Sequence, residues 1–197
     1  MSKIGALFLC FLITGCSVAT QITSSPRSSI EQKLLVQALE RSFNALDPSL
    51  FINKTVAVEF YGLTSDKDFA RELFIAWLQK HRARTAAVSR EPQLRLKVFA
   101  SVLAVDRGQS FFGTPSFTVP LVGFSVPEIP VFRDVKHVGH AEIKVSITHA
   151  ETGDFIAESP TVIGKAHHDN YTLFIIIQFT HKDLDKPGWD FGPLNGK

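Results

Sequence analysis

The only thiols of the chain belong to Cys10 and Cys16, both within its first sixteen residues. Residues further along can therefore form neither a disulfide nor a thiolate metal site. Cys16 closes the tetrapeptide Ile13-Thr14-Gly15-Cys16. Thr14 and Gly15 are small enough to enter a peptidase cleft, and the sulfur of Cys16 is a nucleophile.

The segment before Cys16 has the features of an export signal. Lys3 supplies a positive charge, and residues 4–13 form an apolar run. As a helix this run would rise about 15 Å, roughly half the hydrocarbon thickness of a bilayer, which suits a signal peptide better than a membrane span. The tetrapeptide resembles the bacterial lipobox. We therefore predict a signal peptide over residues 1–15 and acyl chains, such as palmitate, on Cys16.

Two or three acyl chains would anchor the protein stably, because each buried methylene contributes about 0.8 kcal/mol. Ser17 follows the cysteine, and in such lipoproteins this residue, rather than Asp, favours the outer membrane. The alternative is an ordinary cleaved signal, or an uncleaved anchor, with a chance cysteine.

Histidine is the second residue type that could do chemistry. Six of the seven histidines lie in the C-terminal half: His137, His140, His149, His167, His168 and His181. Their spacing matches no helix-borne ligand motif, and residues three apart on a strand point to opposite faces. We interpret these histidines as solvated side chains, and we predict no metal and no cofactor.

Signals for catalysis and for nucleic-acid binding are weak. The sequence contains no G-x-S-x-G elbow and no P-loop. Asp66, Asp68 and Glu72 fall in the first turns of a predicted helix, where the helix dipole accounts for them. The net charge of +2 is too small for a nucleic-acid surface. We expect a protein that is not an enzyme and does not bind nucleic acid.

For the rest of the chain we predict a tether, residues 16–27, followed by one α/β domain over residues 28–197. Ser28 and Glu31 fit a capping box, which predicts a helix that ends at Asp47-Pro48. A strand at 55–61 and a second helix after Asp66 follow. Strands are then predicted at 94–105, 140–148 and 155–165, with 171–179 either a buried strand or an interface segment. This order predicts an α+β two-layer sandwich, with a mixed sheet of about five strands and two helices on one face.

Residues 110–132 form an unusual apolar segment, which we predict to be a loop. It holds five Phe, four Pro and two Gly, and its only charge is Glu128. Prolines at this density disfavour a helix or an inner strand, yet loops are usually polar. Three roles stay open: completion of the core, contact with a partner subunit or a lipid surface, or the lining of a small-ligand pocket. The candidate interface residues are Phe111, Phe112, Phe117, Phe124, Pro127 and Pro130.

Several short motifs resemble a family of uncharacterised bacterial lipoproteins. They are Ser25-Pro26-Arg27-Ser28, Glu31-Gln32 with Leu34-Leu35, the strand-helix unit at 55–78, Pro127-Glu128-Ile129-Pro130, and the turn at Thr152-Gly153. The resemblance covers most of the chain after the signal and implies no activity. A looser likeness is to small α/β lipoproteins that assemble secretion or polysaccharide-export rings at the outer membrane.

The functional expectation follows from the anchor and the apolar segment. We expect a non-enzymatic outer-membrane lipoprotein whose domain faces the periplasm and acts in assembly or envelope maintenance. Its partners would be the membrane, through the lipid, and a second copy or another envelope protein. The alternative is a periplasmic binding module for a lipid or another apolar ligand.

Overall fold

The computed structural model describes residues 27–86, 91–121 and 123–184, and the backbone of 188–190. Cys16, the predicted signal peptide and most of the predicted tether lie outside these ranges. The helices are α1 (Ser29–Asn44) and α2 (Lys67–Lys80), with a 3-10 turn at Pro48–Phe51. The strands are β1 (Thr55–Gly62), β2 (Arg84–Thr85), β3 (Leu94–Thr114), β4 (Phe117–Thr118), β5 (Ser125–Val126), β6 (Ile129–His149), β7 (Phe155–Glu158), β8 (Val162–Leu173), β9 (Ile177–Lys182) and β10 (Gly188–Asp190).

Helix α1 begins at the predicted capping box. The Ser28 side chain accepts from the Glu31 N–H, and Glu31 accepts from the Ser28 N–H in return. Two of the unsatisfied donors of the first turn are thereby paired. The helix buries Leu34, Leu35, Ala38, Leu39 and Phe43 on one stripe. The sequence prediction of this helix start is confirmed.

Both helices pack on one face of a mixed sheet, so the protein is α+β, as predicted. The strand order is β10-β9-β8-β6-β3-β1-β2, with β7 on β6. β1 pairs in parallel with β2 and β3, and the remaining pairs of this sheet are antiparallel. The sheet has eight strands instead of about five. The core lies between the helices and alternate residues of the central strands, including Leu96, Val98, Ile143 and Val145.

Two glycines let α1 lie directly on the sheet. A Cβ at Gly139 of β6 would lie 2.5 Å from the carbonyl oxygen of Leu34. A Cβ at Gly164 of β8 would lie 1.9 Å from the carbonyl oxygen of Ala38. Both distances are shorter than any side chain tolerates, so the helix backbone occupies the space of the missing side chains.

The main departure from the prediction is the length of the central hairpin. β3 and β6 have 21 residues each and would span about 70 Å if straight. Their ladder runs from the Leu94–His149 pair to the Thr114–Ile129 pair. The helices cover only one end of it, and β8 and β9 continue along the other. We call the part beyond the helices the arm; it consists of the distal halves of β3 and β6, of β8 from His167 onward, and of β9.

The prediction of a strand end at 106–108 was therefore wrong. Asp106, Arg107 and Gly108 continue β3, because each has a partner in β6. Cross-strand pairing along a long hairpin outweighs the local turn preference of these three residues. Residues 188–190 form β10 against β9, beyond the last segment for which the sequence predicts a structure.

Candidate contact surface at the tip of the arm

Residues 110–132 form the end of the arm and are not simply a loop. The first five residues belong to β3 and the last four to β6, and β4 and β5 pair between them. Pro130 is tolerated in β6 because β8 reaches only as far as Phe132, so that no second strand needs a donor at residue 130. The prediction of a loop over the whole segment was wrong for this reason.

A second apolar stretch lies beside the first. Leu173 pairs with Phe132, and the N–H of Phe174 donates to the carbonyl of Val131 at 2.9 Å. The β8–β9 turn and the β4–β5 hairpin therefore form one end of the molecule. We call their exposed apolar side chains the apolar tip: Phe112, Phe117, Leu121, Phe124, Ile129, Val131, Phe174, Ile175, Ile176 and Ile177.

The tip side chains point into solvent. Relative exposure is 97% for Leu121, 82% for Ile176, 70% for Phe112 and 63% for Phe124. The hypothesis that residues 110–132 fold back and complete the core is therefore wrong. Likewise, 171–179 is not a buried strand, since the turn within it is exposed. A cluster of large exposed apolar side chains is typical of a contact surface.

The six candidate interface residues fall in different environments. Phe112, Phe117, Phe124 and Pro127 are exposed. Phe111 lies on the other face of β3, where the Arg133 guanidinium sits 5.9 Å from its ring centroid. Pro130 is half-buried. Phe111 therefore supports Arg133, whereas its neighbour Phe112 belongs to the tip.

The β8–β9 turn places bulky residues where glycine would be less strained. Phe174 and Ile175 have φ values of 47° and 70°. The N–H of Ile176 donates to the carbonyl of Phe174 at 2.8 Å, which with this φ is the pattern of a strained γ-turn. A left-handed backbone costs a β-branched residue about 1–2 kcal/mol. Strain of this kind concentrates at functional sites, which favours a contact role for these side chains.

Charges are excluded from the tip and concentrated just behind it. Residues 108–127 and 170–181 contain no Asp, Glu, Lys or Arg. Behind them Arg133 pairs with Glu128, and Lys136 pairs with the buried Asp134 at 3.2 Å. The hydrogen bond to Asp134 raises the pKa of Lys136 and holds it charged. The arm therefore ends in an uncharged cap bordered by ion pairs.

The first turn of α1 points toward the tip. Leu34 lies over Gly139 of β6, and Ala38 lies over Gly164 of β8. Gly164 pairs with Ala141, which is further from the tip than Gly139. The pKa of Glu31 is lowered by the Ser28 N–H and, in smaller measure, by nearby His137. Helix α1 therefore begins at the level of His137, with its first turn on the side of the tip.

The clefts of the domain lie elsewhere. One of about 450 Å³ opens beside α1 and is lined by Leu35, Val36, Leu39, Phe69 and Leu103, with Arg27 and Asp66 at hydrogen-bonding distance (2.5 Å). It contains no residue of 110–132. The hypothesis that the phenylalanines of that segment line this pocket is not supported.

The register of the strands determines on which face of the arm each histidine lies. His137 pairs with His168 on one face of the arm, whereas His140 lies on the other face, 3.2 Å from Glu142. Burial lowers the pKa of His168. On the face away from His168, the sheet brings His167, Asp169 and His181 together, a grouping that the sequence analysis missed.

Comparison with models of known protein families finds none that matches the chain, and comparison with curated proteins finds no relative. The resemblance to bacterial lipoproteins stays a prediction. Among the helices of the described ranges, none is long and apolar enough to cross a membrane.

Proposed function

We propose that the chain is an outer-membrane lipoprotein, anchored through acylated Cys16, that serves without catalysis in assembly or envelope maintenance. Its apolar tip rests on the same bilayer that holds the anchor. The observation that carries the proposal is the uncharged, exposed apolar end of the arm. Tip and anchor together would hold the helical end of the domain at a set height above the membrane, available to envelope partners.

The reach of the tether supports a shared bilayer. From the level of His137 to the β4–β5 hairpin, the arm extends eleven residues, or about 36 Å. Residues 16–27 span at most about 40 Å when extended. Because α1 begins on the side of the tip, the acyl chains and the tip can enter one membrane surface.

The backbone of the tip supports shallow insertion. Val119 N–H donates to the Phe124 carbonyl at 2.8 Å, and Gly123 N–H donates to the Val119 carbonyl at 3.0 Å. Pairing of this kind lowers the cost of moving a turn out of water. Amphipathic surfaces of peripheral proteins enter about 5–10 Å into the headgroup boundary, and the charged residues behind the tip would then remain in water.

Vesicle binding by residues 17–197, made without signal and lipid, tests the proposal. We expect binding to phospholipid vesicles and its loss in Leu121→Asp/Ile176→Asp. Burial of two such side chains contributes about 3–6 kcal/mol, so binding should weaken at least about a hundredfold. The matched control is Leu63→Asp/Phe155→Asp, since Leu63 (94%) and Phe155 (67%) are also exposed but lie away from the tip.

Two results would contradict the proposal. The first is equal loss of binding in the control, and the second is full binding by the tip variant. Light scattering of the same proteins tests whether a second copy of the chain, and not a lipid surface, covers the tip. If the parent is a defined oligomer without vesicles and the folded tip variant is a monomer, the tip binds a second copy instead.

A second candidate function, a binding module for an apolar ligand, is favoured by the cleft beside α1. Its lining is mostly apolar, and a cleft of this size suits a small ligand. It predicts that lipid co-purifies with residues 17–197 and is detected by native mass spectrometry. Clean spectra of correctly folded protein would count against it.

A further inference from the structure

Three potential metal ligands converge on the face of the arm opposite the one that carries His137 and His168. His167 and Asp169 are two residues apart on β8, so their side chains lie on the same face. His181 of β9 is directly opposite Asp169 in the ladder. One ligand atom from each of the three residues lies within 4.8 Å of the others.

This donor set suits a first-row divalent metal. Two imidazoles with one carboxylate match zinc and its neighbours, whereas calcium and magnesium prefer oxygen ligands. Zinc–nitrogen bonds of 2.0–2.1 Å place tetrahedral donors about 3.3 Å apart. The three donors would need to approach by at most about 1.5 Å, and the stacked rings of His167 and His181, whose centroids are 5.0 Å apart, would have to turn their nitrogens toward a common point. The fourth position would be left to water.

His167 is oriented by a second carboxylate. Its Nδ1 lies 3.0 Å from Asp183 Oδ2, and its backbone N–H donates to Asp183 Oδ1 at 2.8 Å. Arg41 of α1 fixes Asp183 in turn, with contacts of 2.5 Å and 2.8 Å. Metal-binding histidines are commonly held this way by a carboxylate on the other ring nitrogen, which leaves Nε2 for the metal.

Asp169 has an oxygen that the protein does not satisfy. Asp169 Oδ1 is buried and accepts no hydrogen bond from any residue in the described ranges. A buried acceptor without a partner is destabilising, and more so when it is charged. The ammonium of Lys136, which pairs across the ladder with Asp169, forms its ion pair with Asp134. A bound cation would satisfy this oxygen.

We infer that His167, Asp169 and His181 form a binding site for a divalent transition-metal ion of the zinc type. The ion clips β9 to β8. This part of the arm lies just beyond the contact of α1 with Ala166 and two residues from Tyr171 and Phe179, whose rings stack at 5.0 Å on the way to the β8–β9 turn. Metal binding would therefore stiffen the strands that carry the β8–β9 turn. The site is independent of whether the tip contacts lipid.

The test is zinc titration by calorimetry on the full chain in detergent, purified with a histidine-free tag and freed of metal with a chelator. We expect one zinc per chain and a melting temperature that rises with zinc concentration. His167→Gln, Asp169→Asn and His181→Gln should each weaken binding by at least about tenfold, the lower end of the cost of losing even an outer partner. His149→Gln, an exposed histidine at the end of β6, is the matched control and should bind as the parent does.

Asp169→Asn keeps the shape of the side chain, so it distinguishes lost ligation from misfolding if a histidine variant unfolds. Far-UV circular dichroism of each metal-free variant checks the fold. Cobalt gives a second readout, since tetrahedral coordination produces visible absorption bands that the variants should lack. The inference is overturned if the parent binds no stoichiometric zinc. It is also overturned if Asp169→Asn binds as tightly as the parent, or if His149→Gln is weakened equally.

Discussion

At the scale of single residues, position determines what each functional group can do. The proposed acylation of Cys16 depends on the small residues that precede it and on the apolar run before them. Phe111 and Phe112 are neighbours, yet one packs beneath Arg133 and the other is exposed at the tip. A contact surface is therefore tested by substitution of Phe112 and not of Phe111, whose loss would disturb Arg133.

Cys16→Ser should abolish acylation. Without the sulfur there is no site for the diacylglycerol, and in cells the protein should lose palmitate labelling and leave the membrane fraction. The matched control is Cys10→Ser, which removes the other thiol from inside the apolar run and should leave labelling unchanged. Retained labelling in Cys16→Ser would refute the lipoprotein assignment.

Glu31→Gln should lower stability at neutral pH but not at acid pH. The Ser28 N–H lowers the pKa of Glu31 in the folded state. A depressed folded pKa gives stability that is present above the unfolded pKa of about 4.3 and is lost as pH falls through the folded pKa. Urea unfolding should show a deficit of about 0.3–1 kcal/mol at pH 7 that disappears near pH 3.

The control for this substitution is Glu40→Gln, which removes an exposed carboxylate from the same helix outside the cap. A deficit for Glu31→Gln that is independent of pH would mean that packing, and not the charge, is responsible.

At the scale of elements, α1 lies close to the sheet because the sheet residues beneath it are glycines. Gly139 and Gly164 give α1 its close contact, and Arg41 joins the same helix to Asp183 after β9. The helix thereby connects the core, the start of the arm and the tether. Its first turn lies on the side of the tip.

Gly164→Ala should destabilise the fold. The new Cβ would overlap the Ala38 carbonyl oxygen, and α1 would have to move off β8, at a cost of about 1–3 kcal/mol or more. Gly108→Ala in the arm is the matched control, since nothing lies within 4 Å of its Cβ position. Thermal unfolding measures both. Equal melting temperatures for Gly164→Ala and the parent would show that the helix does not sit this close.

Local signals predicted the elements that local chemistry controls. The capping box of α1 depends only on Ser28 and Glu31, and it formed as expected. The arm could not be predicted in the same way, because Asp106-Arg107-Gly108 resembles a turn and becomes strand only through pairing with β6. The histidine–aspartate site depends on the register of the β8–β9 hairpin. The sequence itself contains the pattern His167-x-Asp169. His181 comes to lie opposite Asp169 because the β8–β9 turn is centred on Ile175.

At the scale of the whole molecule, the domain has two unlike ends. One end has a core covered by two helices, and the other is a sheet whose tip is apolar and uncharged. The ion pairs of Arg133 and Lys136 mark the boundary between them. Since α1 begins on the side of the tip, an anchor at Cys16 and the tip would act on the same surface, and two attachments fix an orientation that a single tether does not.

Quenching by brominated lipids tests the central claim most directly. Phe124→Trp places an indole at the tip, and Phe155→Trp places one on β7 at the other end, at a position of similar exposure. Each is measured in the acylated full chain reconstituted in vesicles, as a difference from the parent. We predict a blue-shifted emission and quenching by lipids brominated near the headgroups for Phe124→Trp, with neither for Phe155→Trp. Equal quenching of the two, or none for Phe124→Trp, would show that the tip does not lie on the membrane and would contradict the proposed function.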